Sequence, residues 1–420
     1  MNAKHDNSER GQAIVYLVIG FVVFLGFVAL AIDGAMALAD RRNLQNVADA
    51  ASLAGGGKAA LDLEKWNIDT DNWSCGNLQF AMNNAEYFAI TRAAANNFTI
   101  TDAVGITRNY VDATCNNAGK YIDVTVEISA TTPSNFLHLV FPNALHNEME
   151  AVTRIHPGGP LAYGNAIVAL NPDTCSGKSV ETGAGFSGDT EVNVFGGGIF
   201  SNGCLVGSGN AEVNVEGGDI SYFYPAYKEG VFSPDPIKAT EPIPPSKYNI
   251  TLPDCSAAGA DHNVEATKLE KDLKNGPVTL EAGLWCITGD LTINAKDVLH
   301  GTGVTIFVVD GWFDIRGTAE LQLSAPAEDP DPSPAIPGVL IYLPVNNPGP
   351  LILNGNSTSY FQGTILAPGA DITMNGTANI DAYHSQVIGY NVKVNGSSLF
   401  NITYEPEENG KLPTYMELYR

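Results

Sequence analysis

The sequence predicts two joined fold types: an α+β N-terminal part with a single transmembrane helix, then an all-β parallel β-helix, or solenoid. Three observations predict this. An uncharged run extends from Ala13 to Ile32, helical and alternating apolar patterns follow as far as residue 156, and short strand-like stretches then recur at intervals near 20 residues. The expected divisions are a cytoplasmic leader (1–12), a membrane span (13–32), an amphipathic stalk helix (33–57) and a small α+β domain (58–156). A solenoid (160–405) with a Pro-rich insertion (224–256) and a C-terminal tail (406–420) complete the chain.

The uncharged run comes first because it decides the compartment of everything after it. It has 20 residues, bounded by Gln12 and Asp33. At a rise of about 1.5 Å per residue this crosses a ~30 Å hydrocarbon core. It also exceeds the ~7–15 apolar residues of a cleaved secretory signal. Ala37-Leu38-Ala39 resembles a signal-peptidase site, yet a helical register continues through Ala35, Leu38, Arg42, Leu44, Val47, Ala48 and Ala51. No Gly or Pro interrupts it between Gly34 and Gly55. The expectation is therefore a retained anchor running on into a stalk.

Flanking charge does not orient the span, since Lys4 and Arg10 precede it and Arg41 and Arg42 follow it. Cysteine usage does. Cys75, Cys115, Cys175, Cys204, Cys255 and Cys286 are even in number, well separated and never in a C-x-x-C pair. That pattern reads as three disulfides in an oxidising compartment rather than a zinc or redox site. Sequential pairing is the simplest of the connectivities that six cysteines allow. The predicted topology is a single-pass cell membrane protein, N-terminus cytoplasmic and bulk extracytoplasmic.

Three pieces in fixed order carry a family resemblance: "RGQAIV" before the span, Asp33 at its exit, and "RRNLQNVADAASLAGG" after it, with "LQNVADAA" at Leu44 to Ala51. Together they resemble the N-terminal segment of tight-adherence (Flp) pilus-assembly proteins of the TadE/TadG type. The resemblance implies a pilin-like plan for the first part and partners among pilus-assembly or cell-envelope proteins. In pseudopilin members of the group a peptidase cuts after a Gly and needs a Glu five residues on. Here Gly11 is followed at that distance by Tyr16. The departure favours the uncut TadG-like subtype.

Composition narrows the partners. Lys plus Arg total 22 against 46 for Asp plus Glu, a net charge of −24. Such a chain repels phosphate backbones, which excludes nucleic acid as a partner. Between stalk and solenoid, Leu78, Met82, Ala85, Phe88 and Ala89 form a helical stripe, and Ile122, Val124, Val126 and Ile128 alternate with Asp123, Thr125 and Glu127 as a half-buried strand. "PSNFLHLVFP" reads as a short amphipathic turn of helix and "EMEAVTRI" as another strand. His138 and His146 read as surface histidines.

In the second half, "TEVNVFGGGIFS" and "AEVNVEGGDISY" align without gaps at an offset of 21, matching Val192 with Val213 and Val194 with Val215. Later, Ile352, Ile372 and Val392 fall at intervals of 20, each followed by an Asn-Gly turn pair: Asn354-Gly355, Asn375-Gly376 and Asn395-Gly396. Short strands with Gly/Asn corners at this period are the mark of a solenoid, whose coils bury their apolar side chains only by stacking. "GTILAPGADITMNG" within this region resembles β-helical domains of surface-associated pilus-type proteins, and the coil length resembles that of bactofilin-like polymerising helices. The Pro-rich 224–256 segment reads as a projecting loop whose return Cys255–Cys286 would pin. "APAEDPDPSPAIP" is a second, shorter excursion.

No motif assigns catalysis. "GAGFSG" (Gly183 to Gly188) matches a dinucleotide fingerprint, but "DTEVNVF" after it reads as a strand where that site needs a helix. "DPSPA" from Asp331 lacks the last serine of a metal-dependent adhesion pattern. Polysaccharide lyase chemistry needs a basic residue, and Lys393 is the only Lys or Arg between Leu351 and Tyr404. Asp371 and Asp381 stand ten residues apart and read as surface carboxylates rather than a hydrolase pair. The sequence therefore assigns no catalytic, cofactor or metal residue. It predicts a non-enzymatic membrane-anchored structural protein assisting Flp/Tad pilus assembly or cell-surface attachment. The alternatives are a surface adhesin or glycan-binding protein, and then a polysaccharide lyase or hydrolase.

Overall fold

One helix, α1 (Arg10–Lys65), contains both the predicted span and the predicted stalk and continues eight residues past the stalk's expected end. The structure is a computed structural model describing residues 10–70, 72–100, 109–133, 136, 145–174, 182–224, 227–228, 230–244, 248, 250, 252–256, 261–327, 334–355, 358–376, 380–397 and 399–419. His138, Cys175, Asp331 and most of "PSNFLHLVFP" lie outside the described residues. The chain divides into two units, 1–159 with 413–420, and 160–412. The second unit is thus an insertion between two segments of the first.

α1 stops where its sequence offers a left-handed residue. Asn67 has φ +48°, its N–H donates to the Glu64 carbonyl at 3.1 Å, and the Ile68 N–H donates to the Leu63 carbonyl at 2.9 Å. This is a Schellman closure with Asn in the position usually held by Gly. Ile68 and Leu63 both join the first unit's core, which fixes the exit direction.

Against α1 pack α2 (Gln79–Ala95) and an antiparallel sheet of β1 (Tyr110–Asn116), β2 (Tyr121–Thr132), β3 (Leu145–His156) and a closing strand, Tyr415–Leu418. The alternation in β2 behaves as predicted, with Ile122, Val124, Val126 and Ile128 fully buried. Of the predicted stripe, Leu78 just before α2 and Met82, Ala85 and Ala89 within it are buried, but Phe88 is not. Ala81 and Ala93 take the inward positions, and Phe88 lies under the Lys58 ammonium, 5.9 Å from its ring centre. Small inward residues let the helices approach closely. A Cβ on Gly55 would sit 2.7 Å from the Ala85 carbonyl oxygen, and one on Gly56 would sit 2.5 Å from Thr153 Cγ2. The closing strand corrects the reading of 406–420 as a tail, because its residues 415–418 pair with Thr153 to His156 of β3.

The second unit holds two long parallel sheets. Among the described residues one has nine strands, in the spatial order Val231–Ser233, Glu212–Glu216, Glu191–Phe195, Leu399–Thr403, Ile380–His384, Tyr360–Gln362, Glu320–Ser324, Val298–Thr302 and Val278–Leu280. The other has 16 strands and runs from Ile237–Lys238 to His262–Glu265. Spatial order is not chain order. The chain enters mid-sheet at Asn165–Ala169, steps outward to one edge, crosses to the opposite edge, and steps back until Leu399–Thr403 pairs with Glu191–Phe195.

This winding corrects the reading of 224–256 as a projecting loop. Its first part supplies edge strands, Val231–Ser233 and Ile237–Lys238. Its second part is the crossing from edge to edge. Asn202 and Ile243 exchange two hydrogen bonds there, at 2.6 and 2.7 Å, Tyr248 is fully buried, and Cys255 is bonded to Cys286. The crossing has a physical cause. Strands of the 16-stranded sheet are apolar on both sides: Ile306, Ile365 and Val387 face one core while Phe307, Leu366 and Ile388 face another. A sheet of that kind has to be covered on both faces.

The repeat registers are as predicted for Val192 with Val213, Val194 with Val215, and Ile372 with Val392. Ile352 is one residue out. Leu351 is the buried residue and pairs with Ile372, while Ile352 pairs with Thr373. The Asn-Gly dipeptides end strands and stack on one another. Asn354, Asn375 and Asn395 form one column, and Gly355, Gly376 and Gly396 form the next, which continues into Gly188 and Gly209. Gly188 has φ +90°, and a Cβ there would strike the Gly396 carbonyl oxygen, so this corner admits only glycine.

One helix has no counterpart in the sequence reading. Helix α3 (Ala266–Asn275) buries Ala266, Leu269 and Leu273 in the main core beside the 278–280 end of the stack. Their i, i+3, i+7 spacing in "EATKLEKDLKNG", with Gly276 after it, is the signal that could have located the helix.

Candidate functional site

The first candidate site is the apolar N-terminal end of the first unit. Large apolar side chains from Ile14 to Ile32 are exposed, and among the described residues nothing covers that stretch of α1. At its end the pattern inverts. Asp33 is only 1 % exposed and its Oδ2 accepts from the Phe136 N–H at 2.9 Å. A carboxylate one residue beyond an apolar run thus ties Phe136 to the helix. From Leu44 onward α1 carries core: Leu44, Val47, Ala48 and Ala51 are buried, and Ser52 accepts from the Thr153 hydroxyl at 3.0 Å. Asp62, also buried, pairs with Lys58 and accepts from the Asn84 amide at 2.7 Å. α1 is therefore bipartite, lipid-suited as far as Ile32 and core-bearing beyond Asp33.

The second candidate is a charged clamp on the first unit's sheet. Arg154 makes a two-point pair with Asp123, both hydrogen bonds 2.8 Å, while its guanidinium lies between the rings of Tyr121 (3.8 Å) and Tyr419 (3.7 Å). The Asp123 hydrogen bonds push the Arg154 pKa up, so it remains a cation throughout. Beside it His156 stacks on Tyr415 at 4.7 Å and reaches Glu417 at 3.6 Å. Burial lowers the His156 pKa against the opposing pull of Glu417. The clamp binds the closing strand, which sequence reasoning missed because its partners are about 260 residues away.

In the second unit two of the residues weighed for carbohydrate chemistry, Lys393 and Asp371, are paired with each other. The Lys393 ammonium lies 3.2 Å from Asp371, whose other oxygen accepts from the Asn391 amide at 2.6 Å. Asn391 in turn accepts from the Asn171 amide at 2.9 Å and the Gly183 N–H at 2.7 Å. The network ties three neighbouring strand ends together, and an ion-paired lysine is a poor proton acceptor. The Asp381 side chain lies outside the described residues. "GAGFSG" contributes the strand Ala184–Gly188, with no helix after it. Among the described residues no three His, Cys, Asp or Glu side chains are placed to hold a metal.

The cysteines pair in sequence order where both members are described. Cys75–Cys115 and Cys255–Cys286 have Cα separations of 5.7 and 5.9 Å, ordinary for disulfides. Cys204 is also disulfide-bonded, and no described cysteine is free.

An apolar N-terminal helix, long and apolar enough to cross a membrane, that continues into a disulfide-bonded body is consistent with the class of proteins held by a single anchor. Within that class, residues 11–60 match the family described as putative Flp pilus-assembly TadE/G-like. The matched stretch comprises the apolar run, Asp33 and the core-bearing turns of α1 as far as Ala60. No curated protein and no solved structure matches the chain.

Proposed function

We propose that this chain is a membrane-anchored extracytoplasmic structural protein that assists Flp/Tad pilus assembly or cell-surface attachment. The observation that carries the reading is the bipartite α1, because the segment matching the TadE/G-like family is also the segment whose chemistry switches at Asp33 from lipid-suited to core-bearing. The span stays uncut, with Tyr16 where a processed pseudopilin has Glu. The N-terminus is cytoplasmic, and the disulfides support an oxidising compartment for the rest.

The second unit is a β-solenoid. In-register parallel pairing at offsets of 20 and 21 supports this, as do the stacked glycine corners and an end helix that shields the last coil. It acts as a scaffold rather than a catalyst, consistent with the ion pairing of Lys393.

The test is deletion of the gene, followed by counting surface Flp pili by electron microscopy. The expected result is loss of pili, or of surface attachment, restored by the full chain and not by a chain lacking residues 13–32. Normal pili and normal attachment in the deletion strain would sink the reading. Protease treatment of spheroplasts tests the topology, since a protected second unit would reverse the orientation.

A further inference from the structure

The two long sheets of the second unit are finished differently on their outer sides. The 16-stranded sheet has its outer apolar face covered by the chain's own crossing segment, with Ile243 and Tyr248 buried over it. The nine-stranded sheet has an outer face of mainly polar side chains, exposed or half-buried, with Val231 and Phe195 among them. Its inward column includes Leu323, Phe361 and Tyr383, all in the core, so the alternate residues point out.

Those outward residues form rows across the strands. His300, Gln322 and Tyr360 occupy one row on neighbouring strands, and Asn401, Asn193 and Asn214 occupy another farther along the stack. The asparagines are linked amide to amide, Asn193 to Asn401 at 3.3 Å and Asn214 to Asn193 at 3.1 Å. At the end of the first row the Tyr360 ring sits 5.0 Å from that of His384 on the next strand, tilted 39°, both half-exposed. The face is therefore a ribbon of pre-ordered amides around a pair of rings, with nine strands at about 4.8 Å spacing giving it a length of roughly 38 Å.

Charge decides what such a ribbon can hold. None of the nine strands contains a Lys or Arg, while Glu191, Glu212, Glu216 and Glu320 lie along it. Burial, followed by the charges of Glu408 and Glu405, pushes the Tyr360 pKa up, so its hydroxyl stays a neutral donor. Polyanions such as polyuronides, nucleic acids and anionic lipid are repelled. Amides and rings together fit the hydroxyls and C–H faces of sugar rings.

We propose that the outer face of the nine-stranded sheet binds an extended, uncharged polysaccharide lying along the stack, with Tyr360 and His384 as its stacking platform. The proposal rests on the solenoid reading of the second unit and adds a ligand class to it.

The test uses the full chain in detergent, titrated with a soluble neutral β-glucan and, separately, with polygalacturonate. Saturable binding of the neutral polymer alone is expected, weakened about tenfold or more by Tyr360→Ala, the loss of one stacked ring. Gln322→Ala, on an exposed position, is a second variant that leaves the core untouched, and it should weaken binding as well. Equal binding by both variants, tighter binding of polygalacturonate, or no saturable binding of the neutral glucan would overturn the proposal. So would a concentration-dependent dimer abolished by Tyr360→Ala, which would assign the face to a second copy. Pilus counts in a Tyr360→Ala strain keep the two readings apart: unchanged pili with lost glucan binding supports both.

Discussion

Asn193 and Asn401 are 208 residues apart in the chain, yet the amide of one donates to the other at 3.3 Å on adjacent parallel strands. The second unit therefore starts and finishes in the middle of its own stack. The coils built from 184–216 keep an unpaired edge until the last segment, 387–403, arrives to cover it.

This seam makes stability at one end of the sequence depend on the other. Phe400 is fully buried beside Val192. Phe400→Ala is expected to cost about 3–5 kcal/mol. Hydrogen exchange should show protection falling in 184–216 as well as in 387–403. Loss confined to the C-terminal strands would contradict the seam.

The helix crossing at Gly55 should tolerate no side chain beyond hydrogen. Gly55→Val pushes a branched side chain against the Ala85 carbonyl and Val124, so the expected loss is about 1–3 kcal/mol or more, as for an overpacked core. Thermal unfolding of the detergent-solubilised protein reads it. An unchanged midpoint would mean that α1 and α2 can separate freely.

Acidification should loosen the closing strand. Burial holds His156 below its ordinary value of 6.5, so the folded state favours the neutral ring. Well above pH 6.5 neither state binds the proton and His156 contributes no pH dependence. As pH falls below 6.5 the unfolded state takes up the proton first, and stability is lost progressively down to the folded-state pKa. His156→Gln should flatten this slope between pH 7 and pH 5, measured as the difference from wild type. Parallel curves would remove His156 from the account.

Arg154 holds the same strand through charge and ring contacts together. Arg154→Met keeps much of the stem and removes the guanidinium, leaving Asp123 without its partner and two tyrosine rings without their cation. The expected cost is about 2–4 kcal/mol, from a charge-assisted pair and its cation–π contacts. Limited proteolysis should cut first near 413–419, and resistance equal to wild type would argue against the clamp.

The crossing segment is fastened by its disulfide. Cys255→Ser with Cys286→Ser should cost about 2–4 kcal/mol and expose 243–256 to exchange, while the seam strands keep their protection. If the seam opened as well, the segment would be part of the stack's cooperative core rather than a cover.

Local chemistry is what the sequence by itself determined. Twenty uncharged residues impose a lipid-suited helix, alternation imposes β2, and a gapless offset imposes the Val192/Val213 ladder, because each rests on side-chain period within one segment or between adjacent coils. The span, Asp33 and the stalk were legible for the same reason. What only the tertiary structure decided is long-range partnership. That residues 399–403 pair with 191–195, that 415–418 close the first sheet, and that 237–256 cross the stack rather than project from it all depend on unpaired strand edges and an uncovered apolar face. Those edges exist only once the rest has folded, and no period in the chain encodes which segment will satisfy them.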